Sequence, residues 1–144
     1  MRKALCTLRD LTLIALLGSI SLGASAQVAV IVSPKSSVAS LTADQIASMY
    51  LGKFNGLPGG LTQAIDLAEP SPVREQFYTK ATGKNGAQVK AIWARLAFSG
   101  KASPPRELAS AADVKKLVAA NPEAIGYIEK SAVDASVKTV LMLD

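Results

Sequence analysis

The sequence predicts an α/β domain whose sheet is mainly parallel and flanked by helices. Short β-branched apolar runs alternate with longer segments of helical period. Most of the helical segments open on a capping residue and close at a glycine or an Asn-Pro stop. The order β-α-β-α-α-α-β-β separates the early strands by helices, which demands crossover connections.

Val28 to Val32 is a continuous apolar run, as in a strand buried on both faces of a parallel sheet. Thr42-Ala43-Asp44-Gln45 is a capping box flanked by Leu41 and Ile46 at staple positions. Ile46, Met49 and Tyr50 share one face of that helix, and Gly52 suits its end. Lys53 to Gly60 reads as a Gly-rich loop; Gly56-Leu57-Pro58-Gly59-Gly60 lacks both P-loop and dinucleotide spacing, so it is a surface turn.

Leu61 to Leu67 is the second strand, with Leu61, Ile65 and Leu67 on one face. Ser71 caps the next helix, Pro72 occupies its first position, and Val73, Phe77 and Ala81 line one side before Gly83. Asn85 caps a third helix in which Val89, Ile92, Trp93 and Leu96 recur at helical spacing, ending at Gly100. Lys101 to Pro105 is a loop. Ser110 caps a fourth helix with Val114, Leu117 and Val118 inward, stopped at Asn121-Pro122. Ala124 to Ile128 and Val137 to Leu143 are the last strands, close enough in sequence to form an antiparallel pair. Gly126, inside a strand, marks a close approach of backbone or ligand. Trp93 and Tyr127 read as core. The chain contains no internal repeat, low-complexity tract or second-domain linker.

Residues 1–26 read as an export signal. Arg2, Lys3 and Arg9 form a basic start, Leu11 to Leu22 an apolar stretch, and Ala24-Ser25-Ala26 a small-x-small cleavage site ahead of Gln27. The apolar run is shorter than the roughly 20 residues a membrane span takes. Cleavage leaves residues 27–144 as one domain, expected in the periplasm without a stable membrane span. Its 13 basic and 10 acidic residues give a net charge of only +3, scattered along the chain, so nucleic-acid binding gains no support.

The only cysteine, Cys6, lies in the signal, and there is no histidine. That absence excludes disulfides, thiol nucleophiles, Cys/His metal centres and every His-based triad. No nucleophile–base pattern marks a catalytic site, so the expectation is a non-enzyme with no cofactor and no metal.

The candidate site is Ser71-Pro72-Val73-Arg74, where a strand delivers the chain to a helix start. Free backbone N–H groups at the carboxyl end of a strand favour anions. The Ser71 hydroxyl either caps the helix or donates to a bound anion. Arg74 is a cation in the first helical turn, where it opposes the helix dipole. Two readings of Arg74 stand open: a bound oxyanion, or a salt bridge to Asp66 or Glu69. Ser36-Ser37, after the first strand, is a second small hydroxyl cluster that defaults to a loop.

Several segments resemble the phosphate-type periplasmic solute-binding proteins of ABC importers, and in particular their short, single-lobe relatives. Leu41-Thr42, Gln45-Ile46 and Leu51-Gly52-Lys53 resemble one family helix. Ser71 to Phe77 resembles the segment carrying a Ser-Gly-Thr phosphate loop followed by Arg-Glu-x-Phe. Trp93 to Gly100 and Val118 to Tyr127 complete the pattern, the last being the most specific. The resemblance implies a single-lobe type II periplasmic-binding-protein-like fold and an oxyanion ligand at Ser71, Val73 and Arg74. It further implies an envelope transporter or receptor as partner. This chain departs from the family where Pro72 and Val73 replace Gly and Thr, and where Leu67 stands in place of the phosphate-clamping Arg. Classical members close two lobes on the ligand; one lobe offers an open half-site. The reading is therefore weak or partner-assisted oxyanion binding, with an alternative: a non-catalytic envelope interaction module that has lost its ligand.

Overall fold

A computed structural model describes residues 27–54 and 56–144. The expected signal at 1–26 lies outside the described residues. The elements run β1 (Val28–Val32), α1 (Ala43–Tyr50), β2 (Gln63–Leu67), α2 (Pro72–Thr82) and α3 (Gly86–Phe98), then β3 (Arg106–Leu108), α4 (Ala111–Ala120), β4 (Ala124–Glu129) and β5 (Lys138–Leu143). Every helix starts where its cap predicts. Thr42 Oγ1 accepts from the Gln45 N–H, Ser71 Oγ from the Arg74 N–H, Asn85 Oδ1 from the Gln88 N–H and Ser110 Oγ from the Asp113 N–H. Each such cap stabilises its helix by about 1 kcal/mol. Helix α2 ends on Gly83 with φ 70°, a left-handed conformation that a side chain would strain.

The sheet order is β3-β2-β4-β1-β5. β2 pairs parallel with β3 and β4, while β1 pairs antiparallel with β4 and β5. Four strands thus run the same way and β1 alone is reversed, which keeps the sheet mainly parallel in direction. Two strand-level expectations change. β1 is buried on both faces, but between antiparallel neighbours. β4 and β5 do not pair, because β1 lies between them. A three-residue run that the sequence reading leaves unassigned, Arg106–Leu108 between the Lys101–Pro105 loop and the Ser110 cap, forms the short β3 edge; it is too brief to show a strand period.

Helix α4 covers one face. A Cβ on Gly126 would sit 2.8 Å from Val114 Cγ1 and 3.2 Å from Val118 Cγ2, so the glycine permits this close helix–strand approach. Helix α2, with α1 against it, covers the other face. There the Phe77 and Tyr127 rings stack at 3.8 Å with planes 4° apart, and Tyr50 meets Phe77 edge-on at 4.7 Å. Such ring pairs add about 0.5–1.5 kcal/mol beyond their burial. The Pro58–Gly60 turn is exposed at its glycines, as expected for a surface turn. Because β1 is reversed, the Ser36–Ser37 loop after it lies at the opposite end of the sheet from Ser71. Ser36 is a buried turn residue whose Oγ accepts from the Val38 N–H.

Candidate functional site

The carboxyl end of β2 and the start of α2 meet at Asp66. Asp66 lies on the α2 face of the strand, opposite the Ile65 side chain, and is 2% exposed. A carboxylate that deep must be satisfied from several sides. The Tyr78 hydroxyl donates to Oδ2 at 2.6 Å, the Tyr127 hydroxyl donates to Oδ1, and the Leu67 N–H donates to Oδ1 at 2.8 Å. Arg74 adds an ion pair at 3.3 Å.

Burial is the strongest influence on Asp66 and raises its pKa above the ordinary carboxylate value. The Tyr127 and Tyr78 hydroxyls, Arg74 and the Leu67 N–H pull it back only in part. Burial, followed by the charge of Asp66, pushes the Tyr50, Tyr78 and Tyr127 phenols far above their usual range. Burial opposes the charge on Arg74, yet its carboxylate neighbours hold it cationic.

Arg74 is itself 5% exposed. Its Nη1 donates to the Leu67 carbonyl at 2.8 Å and to Glu107 Oε1 at 3.0 Å, while Nε lies 3.8 Å from Glu69 Oε1. The guanidinium also lies 5.4 Å from the centre of the Tyr78 ring, within cation–π range. The salt-bridge reading of Arg74 therefore holds for both carboxylates named in the sequence, Asp66 and Glu69, and extends to Glu107. The sequence reading missed the tyrosines and Glu107. Asp66 beside two buried strand neighbours was the available signal, since a lone acid in a strand covered on both faces needs partners.

Ser71 and Val73 stand where the cap predicts. Ser71 Oγ is taken by the Arg74 N–H at 3.1 Å, Pro72 has no N–H, and the Glu75 N–H goes to the Ser71 carbonyl. The Val73 N–H is the remaining donor of the first turn, and the Val73 side chain is buried. A groove of about 440 Å³ runs past this helix start, lined by Glu69, Pro70, Ser71, Pro72 and Glu75. Two carboxylates thus border the helix N-terminus. Gly86 donates its N–H to Glu75 Oε2 at 3.2 Å, which ties the start of α3 to the same edge.

Tyr127 is core, as expected. Trp93 is only half-buried: its indole N–H donates to the Tyr50 carbonyl at 2.9 Å, and its ring borders two clefts of about 460 and 250 Å³. Among the described residues no group of three or more acidic, Cys or His side chains could hold a metal ion. No described helix is long and apolar enough to cross a membrane.

No protein-family model matches the chain, and no curated relative does. Solved structures do match. One is a putative phosphate ABC transporter substrate-binding protein with bound phosphate from Clostridium perfringens, at 26% identity and TM-score 0.63. The match takes in 80% of this chain and 45% of that one. An ABC-type phosphate transport receptor from Vibrio cholerae matches at 23% identity and TM-score 0.61, over 80% of this chain and 46% of the other. PstS from Borrelia burgdorferi matches at 15% identity and TM-score 0.56, over 80% and 47%. The first two are named as transport and binding proteins, and the chain spans less than half the length of each of the three. In fold, the chain is a short relative of the substrate-binding proteins of phosphate ABC transporters.

Proposed function

We propose that this chain is an exported, periplasmic, non-catalytic lobe that serves as a component of, or an accessory to, phosphate ABC transport. It meets a small oxyanion at Ser71, Val73 and Arg74 only weakly, or with donors supplied by a partner. One observation carries the reading: the Arg74 cation is answered internally by Asp66, Glu69 and Glu107. A free oxyanion would have to compete with these carboxylates, and Glu69 and Glu75 line the groove it would enter. The Val73 amide and the helix dipole remain as attraction, which favours weak binding over none. Tight anion recognition needs several convergent donors sheltered from water. Isothermal titration of the purified chain with phosphate and sulfate tests this. The expected result is no saturation below about 1 mM; micromolar affinity of the chain alone would overturn it.

The second reading, an envelope interaction module that has lost its ligand, is favoured by the commitment of the Ser71 hydroxyl to capping and by Leu67 and Pro72 contributing no side-chain or N–H donors there. It predicts that an envelope partner binds with equal affinity in the presence and absence of phosphate. A phosphate-dependent partner affinity would favour the first reading.

A further inference from the structure

The charges that read as scattered fall unevenly along the chain. From Gln76 to Arg106 there are six cations, Lys80, Lys84, Lys90, Arg95, Lys101 and Arg106, and no Asp or Glu. The rest of residues 27–144 carries seven cations against ten carboxylates. One segment, centred on α3, is therefore basic in a lobe that is otherwise acidic.

Helix α3 turns this segment into a face. Its inner side leans on the domain, with Val89 buried and Ile92, Trp93 and Leu96 half-buried. Its outer side is Ala87, Lys90, Ala91, Ala94, Arg95 and Phe98, all exposed. At about 3.6 residues per turn, Phe98 falls in line with Ala87, Ala91 and Ala94, with Lys90 to one side and Arg95 to the other. Just past the helix, the Lys101 N–H donates to the Leu96 carbonyl at 3.1 Å, which holds a third exposed cation at the Phe98 end. Lys90, Arg95 and Lys101 form no ion pair among the described residues. Phe98 is 96% exposed. An exposed ring by itself is ordinary, but this one projects from a face whose charges all share one sign.

That combination selects the occupant. A second copy of the chain would set like charges against like. Protein surfaces mix both signs, whereas this face offers cations and an apolar ring without a carboxylate. An anionic bilayer is complementary on both counts, with phosphate headgroups for the cations and an acyl boundary for the ring.

We propose that the outer face of α3 docks on an anionic phospholipid membrane, with Phe98 entering the headgroup–acyl boundary and Lys90, Arg95 and Lys101 on lipid phosphates. The export reading decides only which membrane the chain meets, and the oxyanion reading plays no part.

The test is flotation of residues 27–144, which carry all the described elements, with vesicles of phosphatidylglycerol and phosphatidylcholine. Residues 1–26 are left out because their apolar stretch would bind lipid by itself. Binding is expected at about millimolar lipid, with none to pure phosphatidylcholine and release at high salt. Lys90→Gln combined with Arg95→Gln should weaken it about tenfold or more. Lys35→Gln combined with Lys116→Gln removes the same charge from exposed positions after β1 and on α4, and should weaken it by no more than about twofold. Phe98→Ser changes no charge and should weaken it about tenfold. All these side chains are exposed, so the variants keep the fold. No binding to the mixed vesicles, equal losses in the two double variants, or full binding by Phe98→Ser would each overturn the proposal. Binding to soluble poly-glutamate in place of vesicles would assign the face to an acidic protein and overturn it as well. Phosphate titration at Ser71 is a separate measurement, so the two readings fail independently.

Discussion

Helices α2 and α3 follow one another in the chain, and their sequences suggest the wrong one as the buried helix. α3 carries the cleaner apolar stripe, Val89, Ile92, Trp93 and Leu96, yet only Gly86 and Val89 are buried and Phe98 is 96% exposed. α2 mixes Arg74, Glu75, Gln76 and Lys80 with its apolar residues, and it buries Val73, Arg74, Phe77, Tyr78 and Ala81. The difference lies in what each helix meets. α2 lies on the sheet, where the Asp66 carboxylate and the Leu67 carbonyl satisfy its polar groups. α3 leans against α2 and the end of α1, and its apolar side borders two clefts. A polar residue with partners is easier to bury than an apolar stripe with nothing opposite.

Substitutions can break this contrast in order of effect. Phe77→Ala should cost about 3–5 kcal/mol in urea unfolding, since it empties the space under the Tyr127 and Tyr50 rings. Asp66→Ala should cost about 3 kcal/mol, because it leaves two tyrosine hydroxyls and one side of Arg74 without their acceptor. The pH dependence follows from the raised pKa of Asp66. The folded protein keeps that proton longer than the unfolded chain, so stability is greatest below the ordinary carboxylate range and falls as pH rises through the raised value. Asp66→Asn should flatten that slope in a series of unfolding curves.

Tyr50, Tyr78 and Tyr127 are all the tyrosines of the chain, and all are buried with raised pKa values. Near-ultraviolet titration should show no tyrosinate at the usual value of about 10. All three should ionise together when alkali unfolds the protein; a phenol titrating normally in the folded state would dissolve the proposed cluster. The smallest effect belongs to α3. Leu96→Ala should cost about 1 kcal/mol, because the side chain is only half-buried and little closes around it. A loss as large as that of Phe77→Ala would show that the α3 side is core after all.

The caps were the most legible feature: Thr42, Ser71, Asn85 and Ser110 are local devices, and local devices survive folding unchanged. The strand positions were nearly as clear, but their partners were not. Nothing in Val28–Val32 tells a parallel from an antiparallel neighbour, since both bury an apolar run, so β1 slipped between β4 and β5 unannounced. At the site, Ser71 and Arg74 stood out by type and position. What surrounds them is brought in from residues 33 and 53 positions further along, Glu107 and Tyr127, and such distances leave no trace in a local pattern. Trp93 looked like core because its spacing was helical, and spacing does not say how much of a stripe is covered.

The central claim is that this lobe fills its own anion site with carboxylates. A crystal structure of the chain soaked in phosphate tests that most directly. The account predicts Arg74 Nη1 still on the Leu67 carbonyl and Glu107, with phosphate at the Ser71 helix start at low occupancy at most and no carboxylate displaced by it. Phosphate bridging the Ser71 hydroxyl, the Val73 N–H and the Arg74 guanidinium, with Glu69 and Glu107 displaced, would contradict it.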